Sequence, residues 1–451
     1  MRQIFNPAGF LMLCVLLLVS ASPASAANDS NQDLRAEIEA LKERLAELEA
    51  KLDAREASSE EQAGDDTEAV ESQAEEVAEP EEEKEQGIRV HGAVRTQFSY
   101  EDYNSGNEDR VGDFDFDIFR LNFDGSIGDV ILSAEYRWFQ YQHAIHHAWV
   151  GYNFTDTWQG RVGIFRVPFG SLPYNSHSYF FDSTYYVGLE DDYDAGVLGR
   201  RRGDKWDLDL AFFKNDEQGG VDGYVDNRSD RYSYDIVGQR LEGEGTFDSP
   251  SVQMGESNSF SARVARHFEA GDLTYEIGFS GLFGDLECGA SVDAPGAACT
   301  GGSSSGGDRH AYALHFVADY DRWNFQLQAS DYEYDLKNGG GLMTVGAYSF
   351  YDTIPASAKL YTANVAYNLP VDIGPITGLT FYNDFSLMTD KSGGLQDDTL
   401  MNVLGVAVSA GGLYTYVDFV TGENQPFIGG SMGQDGGDRN HRLNINFGYY
   451  F

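Results

Sequence analysis

From residue 87 to the last residue, apolar and polar side chains alternate along many short stretches of the chain. In the final stretch, one set of alternate positions holds Leu443, Ile445, Phe447, Tyr449 and Phe451, and the other holds Asn444, Asn446, Gly448 and Tyr450. A period of two is the repeat of a β-strand with one apolar and one polar face. Such strands build either a soluble sandwich or a barrel with lipid outside and water inside, and the period alone does not separate them.

The connections between the strands favour the barrel. We expect sixteen strands, near residues 87–101, 113–126, 130–142, 143–155, 157–167, 193–202, 205–215, 258–268, 272–284, 308–321, 322–335, 358–369, 375–388, 397–409, 412–424 and 439–451. Connections after odd-numbered strands are mostly long, and those after even-numbered strands are mostly short, which is typical of outer-membrane barrels. The sequence therefore predicts that residues 87–451 form a 16-stranded antiparallel transmembrane β-barrel with an aqueous lumen.

The first 26 residues have the features of an export signal. Arg2 precedes an apolar run from Phe10 to Val19, and Ala24-Ser25-Ala26 forms a small-residue cleavage site. The run is too short to span a bilayer, which takes about 20 residues. We expect residues 1–26 to be a removed signal peptide. We also expect the barrel to lie in the outer membrane of a Gram-negative bacterium, with the N-terminal segment in the periplasm.

Residues 28–56 carry a heptad pattern. The apolar seam consists of Leu34, Ile38, Leu41, Leu45, Leu48 and Leu52. Spacings of alternately four and three predict a coiled-coil helix whose partner helices bury the seam. A single amphipathic helix lying on another surface is the alternative. Residues 57–86 have almost no large apolar side chain, so we expect a disordered acidic linker, because such a segment cannot bury enough surface to fold.

Replacing Leu41 and Leu45 by Asp should melt this coiled coil, because charges would then lie in its buried seam. Circular dichroism would measure the loss of helix, and cross-linking would measure the oligomeric state. A trimer that persists unchanged would mean that contacts between barrel walls alone hold it together.

The chain is strongly acidic, with a net charge of −42. Residues 87–451 alone hold 51 acidic and 24 basic side chains. Nucleic acid is therefore excluded as a partner, because phosphate binding needs clustered cations. Cys288 and Cys299 are the cysteines outside the signal peptide. They could form a disulfide in an oxidising compartment, and two unpaired loop thiols are the alternative.

Two segments resemble the phosphate-selective porin O/P family. Phe116–Leu121 (FDIFRL) is similar to an early strand of that family, and Ala148–Tyr152 (AWVGY) followed by Val162–Gly170 (VGIFRVPFG) is similar to a later one. The resemblance implies a trimeric 16-stranded porin in outer-membrane lipid, with its third loop folded into the lumen. The chain has a single arginine, Arg120, where the family often has two, and its barrel is acidic. Phosphate selectivity is therefore not carried over.

Alternation with neighbouring apolar positions directs several charged side chains into the lumen. These candidate pore-lining residues are Arg120, Glu135, Arg137, Arg161, Arg200, Arg202 and Arg263. A charge on a barrel strand is tolerated where it faces water and destabilises the barrel where it faces lipid. The alternative role for these arginines is local pairing with carboxylates that stiffens the wall.

Loop 168–192 is too aromatic for a solvated surface loop. We expect it to enter the barrel and narrow the pore through Tyr174, His177, Tyr179, Tyr185, Glu190, Asp191 and Asp192. Its carboxylates, together with Asp194, would then oppose Arg161 and Arg200 across the narrowest place. Packing on the rim or in a trimer interface is the alternative.

The sequence predicts neither a metal site nor a cofactor. His143, His146 and His147 surround a predicted hairpin without a cysteine or carboxylate at ligand spacing. Calcium binding by Asp191, Asp192 and Asp194 is a minor alternative. The chain contains no nucleophile elbow, phosphate loop, CxxC pair or zinc-protease motif, so we do not expect an enzyme.

The predicted function is a porin for passive diffusion of small hydrophilic solutes, constricted by loop 168–192. A tether to another envelope layer through the periplasmic coiled coil, and a barrel hydrolase, are the alternatives. The acidic stretch 190–192 faces few basic strand residues in this interpretation, and only five lysines follow residue 87. Because selectivity follows the field where the pore is narrow, we expect weak cation preference or near-neutrality.

Overall fold

The computed structural model describes residues 87–221, 225–290 and 292–451. The predicted signal peptide, coiled coil and acidic linker lie outside the described residues and stay predictions. Among the described residues, no helix combines the length and the apolar character that a membrane crossing needs.

Sixteen strands form one closed antiparallel sheet. They are β1 (Gly87–Glu101), β2 (Asp113–Ile127), β3 (Val130–Phe139), β4 (His143–Asn153), β5 (Trp158–Arg166), β6 (Tyr193–Arg201), β7 (Trp206–Asp216), β9 (Val252–Ala270), β10 (Leu273–Cys288), β11 (Ser305–Tyr320), β12 (Trp323–Leu336), β15 (Ser357–Ile373), β16 (Ile376–Thr389), β17 (Thr399–Ala410), β18 (Leu413–Glu423) and β19 (Asn440–Tyr450). The first strand pairs with the last, from Ala93–Tyr450 to Glu101–Arg442, which closes the sheet. The predicted 16-stranded barrel is confirmed, with strand boundaries close to those expected.

The two ends of the barrel differ in the length of their connections. At the turn end, connections such as 128–129, 271–272 and 411–412 have two residues. At the loop end, long segments such as 167–192 and 217–251 join the strands, and the connection 140–142 is the short exception. This arrangement matches the predicted plan of long loops and tight turns.

Side chains on the two faces of the barrel wall have opposite character. On β7, Leu210 is 50% exposed, whereas its neighbour Asp209 is fully buried. On β9, Phe260 is 59% exposed, whereas Ser259 is fully buried. At the turn end the outer surface carries the exposed aromatic residues Trp158, Trp206, Trp323 and Tyr449. An apolar outer wall with an aromatic girdle is the surface that a lipid bilayer requires.

Further elements fill and cover the loop end. They are the helix α1 (Ser105–Arg110), a 3₁₀ turn (Tyr185–Val187) and the strands β8 (Asp235–Gln239), β13 (Leu342–Ala347) and β14 (Phe350–Pro355). The three strands form a small second sheet that joins β9 through β8. Sequence analysis missed these strands, because each lies inside a long connection and is only five or six residues long.

The hairpin of β13 and β14 reaches across the loop end. The ring of Tyr348, at its tip, lies 5.6 Å from Phe139 on β3 and 5.9 Å from Tyr232 in segment 217–251. On β14, Asp352 accepts a hydrogen bond of 2.5 Å from Ser431 in segment 424–439. Segments 225–251, 337–356 and 424–439 therefore pack together rather than extending separately into solvent.

The structure contains the disulfide between Cys288 and Cys299, whose Cα atoms are 5.6 Å apart. It ties the end of β10 to the loop that leads into β11. Both residues are buried, with Cys299 fully so.

Gly170 anchors the entry of loop 168–192 to the inner wall. Its backbone N–H donates to Ser280 Oγ (3.1 Å) on β10, and its carbonyl accepts from Arg263 Nε (2.7 Å) on β9. It adopts φ +63°, in the left-handed region that favours glycine. A Cβ at this position would lie 2.2 Å from Gln328 Oε1, which accepts the N–H of Ser171. The backbone therefore approaches the wall too closely for a side chain.

Gly170→Ala should loosen the loop for two reasons. The left-handed conformation costs a residue with a Cβ about 1–2 kcal/mol. The new methyl group would also clash with the side-chain amide of Gln328. Limited proteolysis followed by mass spectrometry should show faster cleavage within residues 171–192. Gly128→Ala is the matched control, since Gly128 has φ +62° but no neighbour within 4 Å of the added Cβ. Equal protection of the loop in both variants would contradict the proposed anchor.

Candidate functional site

Loop 168–192 passes through the barrel and contacts inward-facing side chains on widely separated strands. The contacts are Ser171 N to Gln328 Oε1 (2.8 Å) on β12, His177 N to Asp384 Oδ2 (2.8 Å) on β16, Tyr179 N to Asp418 Oδ2 (3.3 Å) on β18 and Tyr179 OH to Asp117 Oδ1 (3.1 Å) on β2. The loop therefore lies inside the lumen, as predicted, and not on the rim.

Asp384 and His177 form the firmest of these attachments. Asp384 accepts hydrogen bonds from the N–H groups of His177 and Ser178 and pairs with His177 Nδ1 at 2.8 Å. The other ring nitrogen of His177 lies 2.7 Å from Asn324 Oδ1. Burial acts to lower the pKa of His177, but the hydrogen bond and charge of Asp384 outweigh it and raise this pKa above its usual range.

The aromatic residues of the loop form one cluster with the covering segments. The rings of Phe181 and Tyr185 stack at 4.4 Å, and the hydroxyl of Tyr185 bonds that of Tyr348. Tyr174 lies on the guanidinium of Arg166 at 4.7 Å. Of the predicted tyrosines, Tyr174 and Tyr185 therefore meet through Phe181, and Tyr185 also joins the loop to the hairpin of β13 and β14. Tyr179 instead contacts Phe180 and Tyr416.

The carboxylates of the loop do not oppose Arg161 and Arg200 as expected. Glu190, Asp191 and Asp192 are only 6%, 3% and 3% exposed. Glu190 accepts hydrogen bonds from Asn175 N (2.8 Å) and Thr184 Oγ1 (2.8 Å), within the loop itself. The expected opposition was wrong, because Glu190 and Asp191 are engaged by the loop, the wall and the covering segments. Asp192 is buried next to other carboxylates instead.

Asp191 is the centre of a clamp between the loop and the wall. It pairs with Arg166 at the end of β5, and it accepts from Tyr193 OH (2.9 Å) and Tyr232 OH (2.6 Å). Arg166 also donates to the carbonyl of Pro173 (2.7 Å). Arg166 lies in the VGIFRVPFG segment but was missed as a site residue, because its inward direction shows only when the loop path is known.

Five arginines surround a cavity of about 420 Å³ between the loop and the wall. This arginine pocket is lined by Arg161, Arg166, Arg200, Arg202 and Arg263, with Asp207, Glu276, Ser133, His147, Trp149, Leu172, Pro173 and Tyr193 completing its wall. Four of the seven predicted pore-lining residues therefore meet in one cavity. The other three, Arg120, Glu135 and Arg137, form a separate ion-paired group on β2 and β3.

Most arginines of the pocket have a carboxylate partner. Arg200 and Arg202 both contact the buried Asp209, at 2.7 and 2.9 Å. Arg263 pairs with Glu276 across β9 and β10. The alternative interpretation of the sequence, that arginines pair locally within the wall, therefore holds for these three side chains.

Arg161 differs from the other four. Its Nε donates to Gln159 Oε1 (2.5 Å), and its guanidinium lies 3.9 Å from the ring of Trp149. Among the described residues, no carboxylate lies within ion-pair distance of Arg161. A guanidinium above an aromatic face keeps its charge available to an anion at the same time.

A serine and a histidine also meet at this cavity. Ser133 Oγ lies 2.8 Å from His147 Nε2, but the other ring nitrogen of His147 faces His146 at 2.8 Å rather than a carboxylate. The nearby Asp124 bonds the serine. In a hydrolytic triad the carboxylate orients the histidine, so this arrangement does not match one.

The histidines have a carboxylate neighbour that the sequence did not reveal. Glu135 Oε1 lies 3.9 Å from His146 Nδ1, and ligand atoms of Glu135, His146 and His147 lie within 4.8 Å of one another. We expected no carboxylate at ligand spacing from these histidines, and this was wrong, because the fold brings Glu135 close to His146 and His147. Glu135 already pairs with Arg137 and Arg120, which lowers its capacity to bind a cation.

No protein-family model matches the sequence, and no curated protein matches it significantly. Solved structures to which the chain is similar include OmpT, an outer membrane protein of Vibrio cholerae in a trimer form (13% identity, 81% of this chain and 99% of that chain, TM-score 0.48). Others are the outer membrane channel DcaP of Acinetobacter baumannii (11%, 81% and 97%, 0.49) and opdK of Pseudomonas aeruginosa (12%, 81% and 98%, 0.42). At these values the likeness assigns no activity, solute or partner to this chain.

Asp182 is a fully buried carboxyl group within the loop. It accepts hydrogen bonds from Asn175 Nδ2 and Thr184 N, both 2.7 Å, next to the carboxyl group of Glu190. Burial raises the pKa of Asp182 to about 6, although these hydrogen bonds act in the opposite direction. Because its pKa in the folded protein lies above that of an unfolded aspartate, this group favours the native loop at low pH. That contribution is lost as the pH rises through about 6.

Hydrogen exchange of residues 171–192 should therefore be slower at pH 5 than at pH 7.5, after correction for intrinsic rates. Asp182→Asn should remove part of this difference, which is at most about 3 kcal/mol for a shift of roughly two pKa units. The exposed Asp390, changed to Asn, is the control. An unchanged pH dependence in Asp182→Asn would contradict this role for Asp182.

Proposed function

We propose that the protein is an outer-membrane porin for passive diffusion of small hydrophilic solutes, constricted by loop 168–192. The single observation that carries this proposal is the closed barrel of sixteen strands with an apolar outer wall and a polar inner wall. A barrel of this strand number leaves an aqueous lumen, whereas eight strands would fill with side chains. A loop held across that lumen narrows the path without closing the barrel itself.

In this proposal the turn end faces the periplasm and the loop end faces the outside. The N-terminal coiled coil would then lie in the periplasm, where it supports a homotrimer or a tether to another envelope layer. Both assemblies rest on the heptad pattern and on the family resemblance. Neither an enzymatic activity nor a cofactor is part of the proposal, and the serine–histidine geometry beside the arginine pocket does not favour the hydrolase alternative.

The arginine pocket supports a preference for solutes that carry an anionic group. The expected weak cation preference rested on Glu190, Asp191 and Asp192 facing the solute path, but all three side chains are buried, and Glu190 and Asp191 are also hydrogen-bonded. The guanidinium of Arg161, by contrast, faces the cavity and has no carboxylate partner in the part of the chain that the structure describes. Because selectivity follows the local field where the path is narrow, the sign at this position is positive despite the acidic chain.

Liposome swelling tests the channel itself. Purified protein reconstituted into liposomes should admit small sugars and exclude large ones, because diffusion through a water-filled pore depends on solute size. A heat-denatured sample is the control. Liposomes that do not swell in any small uncharged sugar would contradict the porin function.

Arg161→Gln should lower the ratio of chloride to potassium permeability by about sixfold, since a unit charge about 8 Å from an ion in water contributes about 0.5 kcal/mol, with opposite sign for the two ions. The reversal potential across a planar bilayer in an asymmetric KCl gradient measures this ratio. Arg439→Gln is the matched control, because Arg439 pairs with Glu423 at the exposed loop end. An equal shift in both variants, or none in Arg161→Gln, would contradict the selectivity assigned to the pocket.

A further inference from the structure

Four buried carboxylates converge where loop 168–192 returns to the barrel wall. Asp192 ends the loop, Asp194 lies on β6, Asp235 begins β8 and Glu256 lies on β9. One oxygen atom of each lies within 4.8 Å of those of the other three. All four residues are 5% exposed or less. Three segments that are distant in the sequence thus bring their negative charges to one enclosed point.

The oxygens of Asp192 and Asp194 have free coordination positions. Asp192 Oδ1 and both carboxylate oxygens of Asp194 are buried and receive no hydrogen bond from the described residues. Arg309 Nη2 lies 3.8 Å from Asp194 Oδ2, beyond hydrogen-bond distance. A buried carboxylate without a donor is costly, so these oxygens need either a proton or a cation.

The ion pairs around the cluster do not balance its charge. They add two more carboxylates and three guanidiniums to the four carboxylates, and these partners are Asp216, Glu217, Arg228, Arg231 and Arg309. Each of these side chains is at most 9% exposed. Six carboxylates therefore share three arginines inside the protein. A divalent cation would reduce the excess of three negative charges to one.

We propose that Asp192, Asp194, Asp235 and Glu256 bind a calcium ion. Carboxylate oxygens are the ligands that hard cations prefer. A spread of up to 4.8 Å between ligand oxygens matches about twice the Ca–O distance of roughly 2.3–2.6 Å. Magnesium needs oxygens at about 2.0–2.1 Å and keeps several water molecules, which suits this enclosed cluster less well.

The bound ion would hold the end of the loop in place, as the contacts of Gly170 hold its beginning. Gly170 attaches the beginning of the loop to β9 and β10. Calcium would attach its end to β8 and β9, through Asp235 and Glu256. The loop would then be fixed at both ends, and the small second sheet would be fixed with it.

Protons are the competing way to neutralise the cluster. Burial, followed by the neighbouring carboxylate of Asp194, raises the pKa of Asp192 well above its usual range. If the cluster is neutralised by proton uptake, added calcium has no effect on the protein. The two possibilities give different results in one titration at constant pH.

The test uses the full-length protein in detergent, treated with EDTA and then dialysed at pH 7.5. Isothermal titration with CaCl₂ should show one tight site per chain, and calcium should raise the Tm relative to EDTA. Asp192→Asn/Asp194→Asn should lose both the tight site and the rise in Tm. In EDTA the same variant should be at least as stable as the original protein, because two repelling charges are removed.

Asp352→Asn is the matched control, since Asp352 is fully buried at the loop end but accepts hydrogen bonds from Ser431 and Thr353. It should keep the calcium response. A protein without a calcium response, or a double variant that keeps it, would overturn the proposal in favour of protonation or of surface carboxylates. If the double variant does not fold, Glu256→Gln on β9 provides the same comparison. None of these measurements depends on conductance, so failure here leaves the porin proposal separately testable.

Discussion

A segment that crosses a lumen has backbone N–H groups without strand partners, and buried N–H groups must find acceptors. The inner wall supplies them: Asp384 accepts from His177 and Ser178, and Asp418 accepts from Tyr179. An unsatisfied buried N–H costs about 1–3 kcal/mol, so these acceptors decide the path of the loop. The positions of the Asp191 clamp, the arginine pocket and the carboxylate cluster all depend on that path.

The loop also separates the charges of the lumen. Its own carboxylates are used in contacts with the loop, the wall and the covering segments, as Glu190 and Asp191 illustrate. The arginines of β5, β6 and β9 remain around the cavity beside it. The net charge of the whole chain is therefore a poor guide to the field that a solute meets. A strongly acidic protein can therefore present a basic surface inside its barrel.

The barrel could be predicted from the sequence because alternation and connection length are local properties of the chain. The direction of Arg161 and Arg200 followed from the same alternation. The strands β8, β13 and β14 could not be found this way, since their stability comes from partners far away, such as the Tyr348–Phe139 contact. The sequence also did not show which charged side chains form ion pairs. The partner of Arg166 depends on the path of the loop, because Asp191 lies 25 residues further along the chain.

The pairing of β1 with β19 has a consequence for assembly kinetics. These strands come from opposite ends of the barrel sequence, so both edges of the growing sheet stay unpaired until the last strand arrives. Open edges invite pairing with other chains, and contacts between distant residues slow folding. Asn446 on β19 also donates to Asp117 on β2 (2.9 Å), which links closure to the wall that holds Tyr179. A nascent chain therefore needs protection from aggregation throughout its transit, and a truncation of β19 alone would leave an open, aggregation-prone sheet.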